Sequence, residues 1–119
     1  MSYSAAGPSS LPLDMGQFNT ITEGKSTYQD ELLEIFFYNV AECIVVMERN
    51  CLGEICTKWQ DASGELKKIS SNIGALELYK DCAIAEKMAS ASDEERKKML
   101  DAIKIHVQRL RAFVRNTRY

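Results

Sequence analysis

Apolar positions along the chain recur at spacings of three and four, the period of a helix, and nowhere alternate as a strand requires. The clearest stretch is "STYQDELLEIFFYNVAECIVVMERN", in which Leu33, Phe36, Phe37, Val40, Cys43, Ile44 and Met47 form one stripe. It predicts a helix of about six turns, opened by the cap-type residues Ser26 and Thr27. A second helix is predicted through "CLGEICTKWQDASGELKKISSN" and a third through "LELYKDCAIAEKMA", which follows "NIGA". The last starts at "SASDEERK", where Ser92 and Glu95 have the spacing of a capping box, and places Leu100, Ile103, Val107, Leu110 and Val114 on one stripe. Ahead of these, "LPLDMGQFNTITE" predicts a short helix with Asp14 as its cap, and residues 1–10, "MSYSAAGPSS", read as a disordered leader. Four long helices with short links predict an all-α domain over residues 11–119. Its expected form is an antiparallel up-down-up-down four-helix bundle with a short extra N-terminal helix.

Charge adds an asymmetry without naming a partner. The 119 residues carry a formal net charge of -2, which gives no global pull toward nucleic acid or membrane. Residues 1–92 hold 7 Lys/Arg against 13 Asp/Glu, whereas residues 93–119 hold 8 against 4. The basic end reads as a solvated helix face whose cations suit the C-terminal end of the helix dipole. The four cysteines, Cys43, Cys51, Cys56 and Cys82, form no CxxC pair, and His106 is the single histidine, so no zinc-type ligand set is present. Cys43 and Cys82 fall on apolar stripes, where a free thiol packs as a small hydrophobe; reduced thiols and a cytoplasmic setting are expected. Met47 and Met99 read as core filler, Trp59 as packed at a helix junction, and His106 as half-buried. Of Phe36, Phe37 and Tyr38, two are expected to pack inside and one to stay exposed.

Gly64 does not fit its surroundings. It interrupts a helical segment, where glycine costs about 1 kcal/mol relative to alanine. The segment around it, Trp59 to Ala75, resembles the signature of the histidine-containing phosphotransfer family of two-component phosphorelays, A-x-H-x-L-K-G-x-S-x-x-[I/L]-G-A. Twelve positions fall in register without a gap: Trp59, Ala62, Leu66, Lys67, Ser70, Asn72, Ile73, Gly74 and Ala75, then Leu78, Cys82 and Glu86. Two positions depart from it. The histidine slot holds Gly64, and the glycine after the lysine is Lys68.

What the resemblance implies is therefore a carrier without its carrying group. In that family the imidazole accepts a phosphoryl group from a receiver-domain aspartate, a step that needs a nitrogen nucleophile. Glycine supplies none. Ser63 is a poor substitute because a hydroxyl without a base is a weak nucleophile, and it points about 100° away around the helix. Ser70 and Ser71 are expected to satisfy backbone groups at the helix end. No catalytic residue, metal or cofactor is expected. The resemblance implies a monomeric protein that docks a response-regulator receiver domain or a hybrid histidine kinase through Phe37, Gly64, Lys67, Lys68 and Ser71, and modulates the relay by competition. The alternative is a helical scaffold repurposed as an adaptor or effector module with no phosphorelay partner.

Overall fold

The computed structural model describes residues 11–118, of which Arg118 only in its backbone; the predicted leader at residues 1–10 lies outside the described residues. The described residues form five helices and no strand: α1 (Met15–Thr22), α2 (Ser26–Arg49), α3 (Thr57–Ile73), α4 (Leu76–Glu86) and α5 (Asp93–Arg118). The closest packing is between α3 and α4, followed by α2 on α3 and α4 on α5, while α2 and α5 touch sparingly. One apolar core joins the elements. Leu33, Phe36, Val40, Cys43 and Met47 of α2 meet Trp59, Ala62 and Leu66 of α3, Leu78, Cys82 and Ala85 of α4, and Leu100, Ile103, Val107 and Leu110 of α5. The stripes predicted for α2 and α5 are thus the buried ones, with Phe37, Ile44 and Val114 half-buried at the margins. Trp59 is fully buried, and its indole N–H donates to the Ala85 carbonyl at 2.8 Å, pinning α3 to α4. No described helix is long and apolar enough to cross a membrane.

Helix ends follow local chemistry. Asp14 caps α1 by accepting from the Gln17 amide at 3.1 Å. At the start of α5, Ser92 Oγ accepts from the Glu95 amide at 3.1 Å and the Glu95 carboxylate accepts from the Ser92 amide at 3.2 Å, a complete capping box. Gly74 ends α3 with φ 89°, a left-handed conformation that favours glycine. Its carbonyl accepts from the Asp14 amide at 2.8 Å, and a Cβ at position 74 would stand 3.2 Å from the Asp14 Cβ. Gln17 completes the clamp: its side-chain amide donates to the Ser71 carbonyl at 2.7 Å and to the Asn72 carbonyl at 3.3 Å. The Asn72 carbonyl, and the Ser71 carbonyl that also accepts from the Gly74 amide at 3.3 Å, are thereby covered by α1.

Three predicted boundaries are corrected. α2 begins at Ser26 with Lys25 in the cap position, so Ser26 and Thr27 lie inside the helix. α3 starts at Thr57 rather than Cys51, and α4 stops at Glu86 rather than Ala89. The last two have a common cause in Arg96, whose side chain is fully buried at the start of α5. Its guanidinium donates to the carbonyls of Cys51 at 2.8 Å and Gly53 at 2.5 Å in the α2–α3 link. In the α4–α5 link it donates to Met88 at 3.3 Å, Ala89 at 3.2 Å and Ala91, and it also pairs with Asp93 at 2.7 Å. Carbonyls that would have continued the helices are turned toward one arginine instead.

Candidate functional site

Position 64 lies in the middle of α3, between the fully buried Ser63 and the exposed Glu65. The Ser63 hydroxyl donates to the Trp59 carbonyl at 2.8 Å, so it is committed to the backbone and hidden from any reactant. Gly64 is half-exposed and lines an open hollow of about 550 Å³ on the α3–α4 side, together with Lys67, Lys68, Ser71, Tyr79 and Glu86. Four of the five residues expected to contact a partner, Gly64, Lys67, Lys68 and Ser71, thus share one surface feature.

Phe37 is not among them. It is half-buried, packed edge-on to Phe36 at 5.2 Å between ring centroids, and covered by the Arg111 guanidinium of α5 at 4.3 Å. The exposed member of the aromatic trio is Tyr38, at 66% exposure, and its hydroxyl is raised in pKa chiefly by a hydrogen bond to Glu42.

Glu86 is one of three carboxylates, with Asp61 and Glu65, that line the hollow. It reaches from the last turn of α4 across to α3, where one carboxylate oxygen accepts from Lys67 Nζ at 2.5 Å. The other lies 2.6 Å from where a Cβ on residue 64 would stand, with no other side chain within 4 Å of that point. A Cβ at position 64 would make the end of the Glu86 side chain shift; the glycine is what admits it in this place. The hydrogen bond it donates to Glu86 holds the Lys67 ammonium above its ordinary pKa, outweighing the opposing effect of burial. A lysine kept protonated has no lone pair to offer, so it is a cation here and not a nucleophile. Lys68 lies 3.8 Å from Glu65, one turn back on the same helix.

A second hollow of about 330 Å³ opens between α2 and α3, lined by Glu42, Cys43, Val46 and Ala62. Asp61 and Glu65 border both hollows, so the exposed ridge of α3 separates them. Cys43 is buried at its edge, and burial together with Glu65 and Glu42 pushes its thiol pKa up. Val46, exposed on α2, lines this second hollow, whereas its exposed neighbour Val45 lies on the α5 side of the helix. For Glu86 the only signal is its place in the resemblance, which is silent on what the side chain touches.

His106 is remote in role. Its Nδ1 pairs with the Asp81 carboxylate across the α4–α5 seam, and both are mostly buried. Among the described residues no group of three or more His, Cys, Asp or Glu side chains has metal-site geometry. Scans against protein-family models, curated proteins and solved structures found no match to this chain.

Proposed function

We propose that this protein is a phosphotransfer-like docking protein that binds a receiver domain or hybrid histidine kinase and lowers relay flux by occupancy, passing on no phosphoryl group. In this reading α2 to α5 form an antiparallel up-down-up-down bundle, α1 is an accessory helix, and the protein works as a monomer in the cytoplasm. The observation that carries the reading is the glycine at the centre of an open helical face, flanked by Lys67 and Lys68, with no imidazole at the hollow it lines. A residue unfavourable to its own helix by about 1 kcal/mol, set at the middle of a recognition-sized hollow, fits a site relieved of chemistry.

The test pairs binding with transfer. Receiver domains encoded in the same genome are titrated calorimetrically against the chain, and a receiver carrying labelled phosphate is mixed with it. Binding without transferred label is expected. The comparator is Gly64→His, alone and with Lys68→Gly, which reintroduces the acceptor. Stable label on the parent chain, or silence from every receiver and kinase module, overturns the reading.

The adaptor alternative is favoured by one observation: both lysines have an internal carboxylate partner, Glu86 for Lys67 and Glu65 for Lys68. Under it, binding to a non-relay partner persists in the Lys67→Ala, Lys68→Ala double variant.

A further inference from the structure

The hollow over Gly64 does not stand empty of charge. Where a side chain on residue 64 would begin, the structure holds the Glu86 carboxylate, drawn across from α4 and fixed by Lys67 at 2.5 Å. The cation that would greet an incoming phosphoryl group is already matched by an anion. A second anion brought to the same place gains nothing from Lys67 and meets the Glu86 oxygen that faces residue 64.

We infer that Glu86 acts as a resident anion at the docking site and makes this protein select receiver domains in their unphosphorylated state. The inference rests on the docking function proposed above and adds to it the state of the partner. A receiver that already carries a phosphoryl group on its aspartate brings about two negative charges to the interface. Burying these beside the Glu86 oxygen that faces residue 64, while Lys67 is already paired to the other oxygen, is unfavourable, because like charges brought together at an interface discriminate against the wrong partner. An unmodified receiver lacks this penalty. Occupancy then falls on the pool of receivers waiting for phosphate rather than on those already signalling. Gly64 has a positive role in this arrangement: a Cβ there would make the Glu86 carboxylate shift from its place beside residue 64.

Calorimetric titration tests it. Receiver domains encoded in the same genome are titrated in magnesium buffer, with and without beryllium fluoride, which binds the receiver aspartate as an anion in place of a phosphoryl group. The parent chain is expected to bind the fluoride-free receiver about tenfold more tightly than the loaded one, the scale of a single partly screened like-charge contact. In Glu86→Gln the ratio is expected to fall to about twofold or less, mainly through tighter binding of the loaded form. Gly64→Ala shifts the Glu86 carboxylate but keeps its charge, and is expected to give a ratio between those of the parent chain and Glu86→Gln. Asp101→Asn, an exposed acid on α5, is expected to leave the ratio unchanged. Equal binding of the two receiver forms by the parent, preference for the loaded form, or a ratio unaltered in Glu86→Gln overturns this inference and leaves the docking function standing. Failure of every receiver to bind in either form overturns the docking function, and this inference with it.

Discussion

Replacing Arg96 by methionine is expected to cost a fifth or more of the stability of the fold. The side chain is fully buried, and its guanidinium supplies hydrogen bonds to five backbone carbonyls, those of Cys51, Gly53, Met88, Ala89 and Ala91, and to the Asp93 carboxylate. Methionine matches the length of the stem and donates nothing. Each carbonyl left buried without a donor costs about 1–3 kcal/mol. Those nearest the surface regain water, so the sum is not additive; removing one partner of a buried charged network typically costs about 3–5 kcal/mol. Domains of this size are stable by about 5–15 kcal/mol in total. With a urea slope of about 1.5 kcal/mol per molar, the midpoint drops by about 2–3 M. Trp59 is the sole tryptophan and is fully buried, so its fluorescence reports the transition directly. Arg96→Lys is expected to lie within about 1 kcal/mol of Arg96→Met, because an ammonium cannot spread its donors as a planar fork does. A midpoint shift below about 0.5 M in Arg96→Met, or full rescue by lysine, refutes the reasoning.

Three further outcomes are expected. Gly74→Ala forces a side chain into φ 89° and against Asp14, and is expected to destabilise by about 1–2 kcal/mol in the same urea assay. Glu95 is held below its ordinary pKa of 4.5 by hydrogen bonds from the Ser92 amide and hydroxyl. Its contribution is therefore present above pH 4.5 and lost as pH falls through the lowered folded value, and Glu95→Gln is expected to remove that part of the acid dependence measured by circular dichroism. Cys82 is fully buried and its thiol is pushed far up by desolvation, so it is expected to resist a thiol-titrating disulfide reagent in the native state and to react only on unfolding, as mass spectrometry of the labelled peptides will register.

Much of the fold was legible because its signals are periodic and local. The stripe from Leu33 to Met47 and that from Leu100 to Val114 repeat at helical spacing, and the Ser92–Glu95 pair and Asp14 mark helix starts through contacts three residues apart. What was not legible depends on contacts distant in sequence. Arg96 reads as one more cation on a basic amphipathic helix, yet it withdraws Cys51 to Cys56 from α3 and Lys87 to Ala89 from α4. The site divides the same way. Gly64, Lys67, Lys68 and Ser71 share a face because helical geometry puts them there, whereas Phe37 goes to the α5 side of α2, where Arg111 covers it. The approach of Glu86 to residue 64 comes from the packing of α4 on α3, which no spacing along the chain encodes.

The clamp made by Gln17 has a mechanical consequence. Its amide grips the carbonyls of Ser71 and Asn72, and both residues also line the hollow above Gly64. The first helix is therefore a handle on the rim of that hollow. A pull applied ahead of Leu11 reaches that rim through Gln17 as well as the core through Leu13 and Phe18.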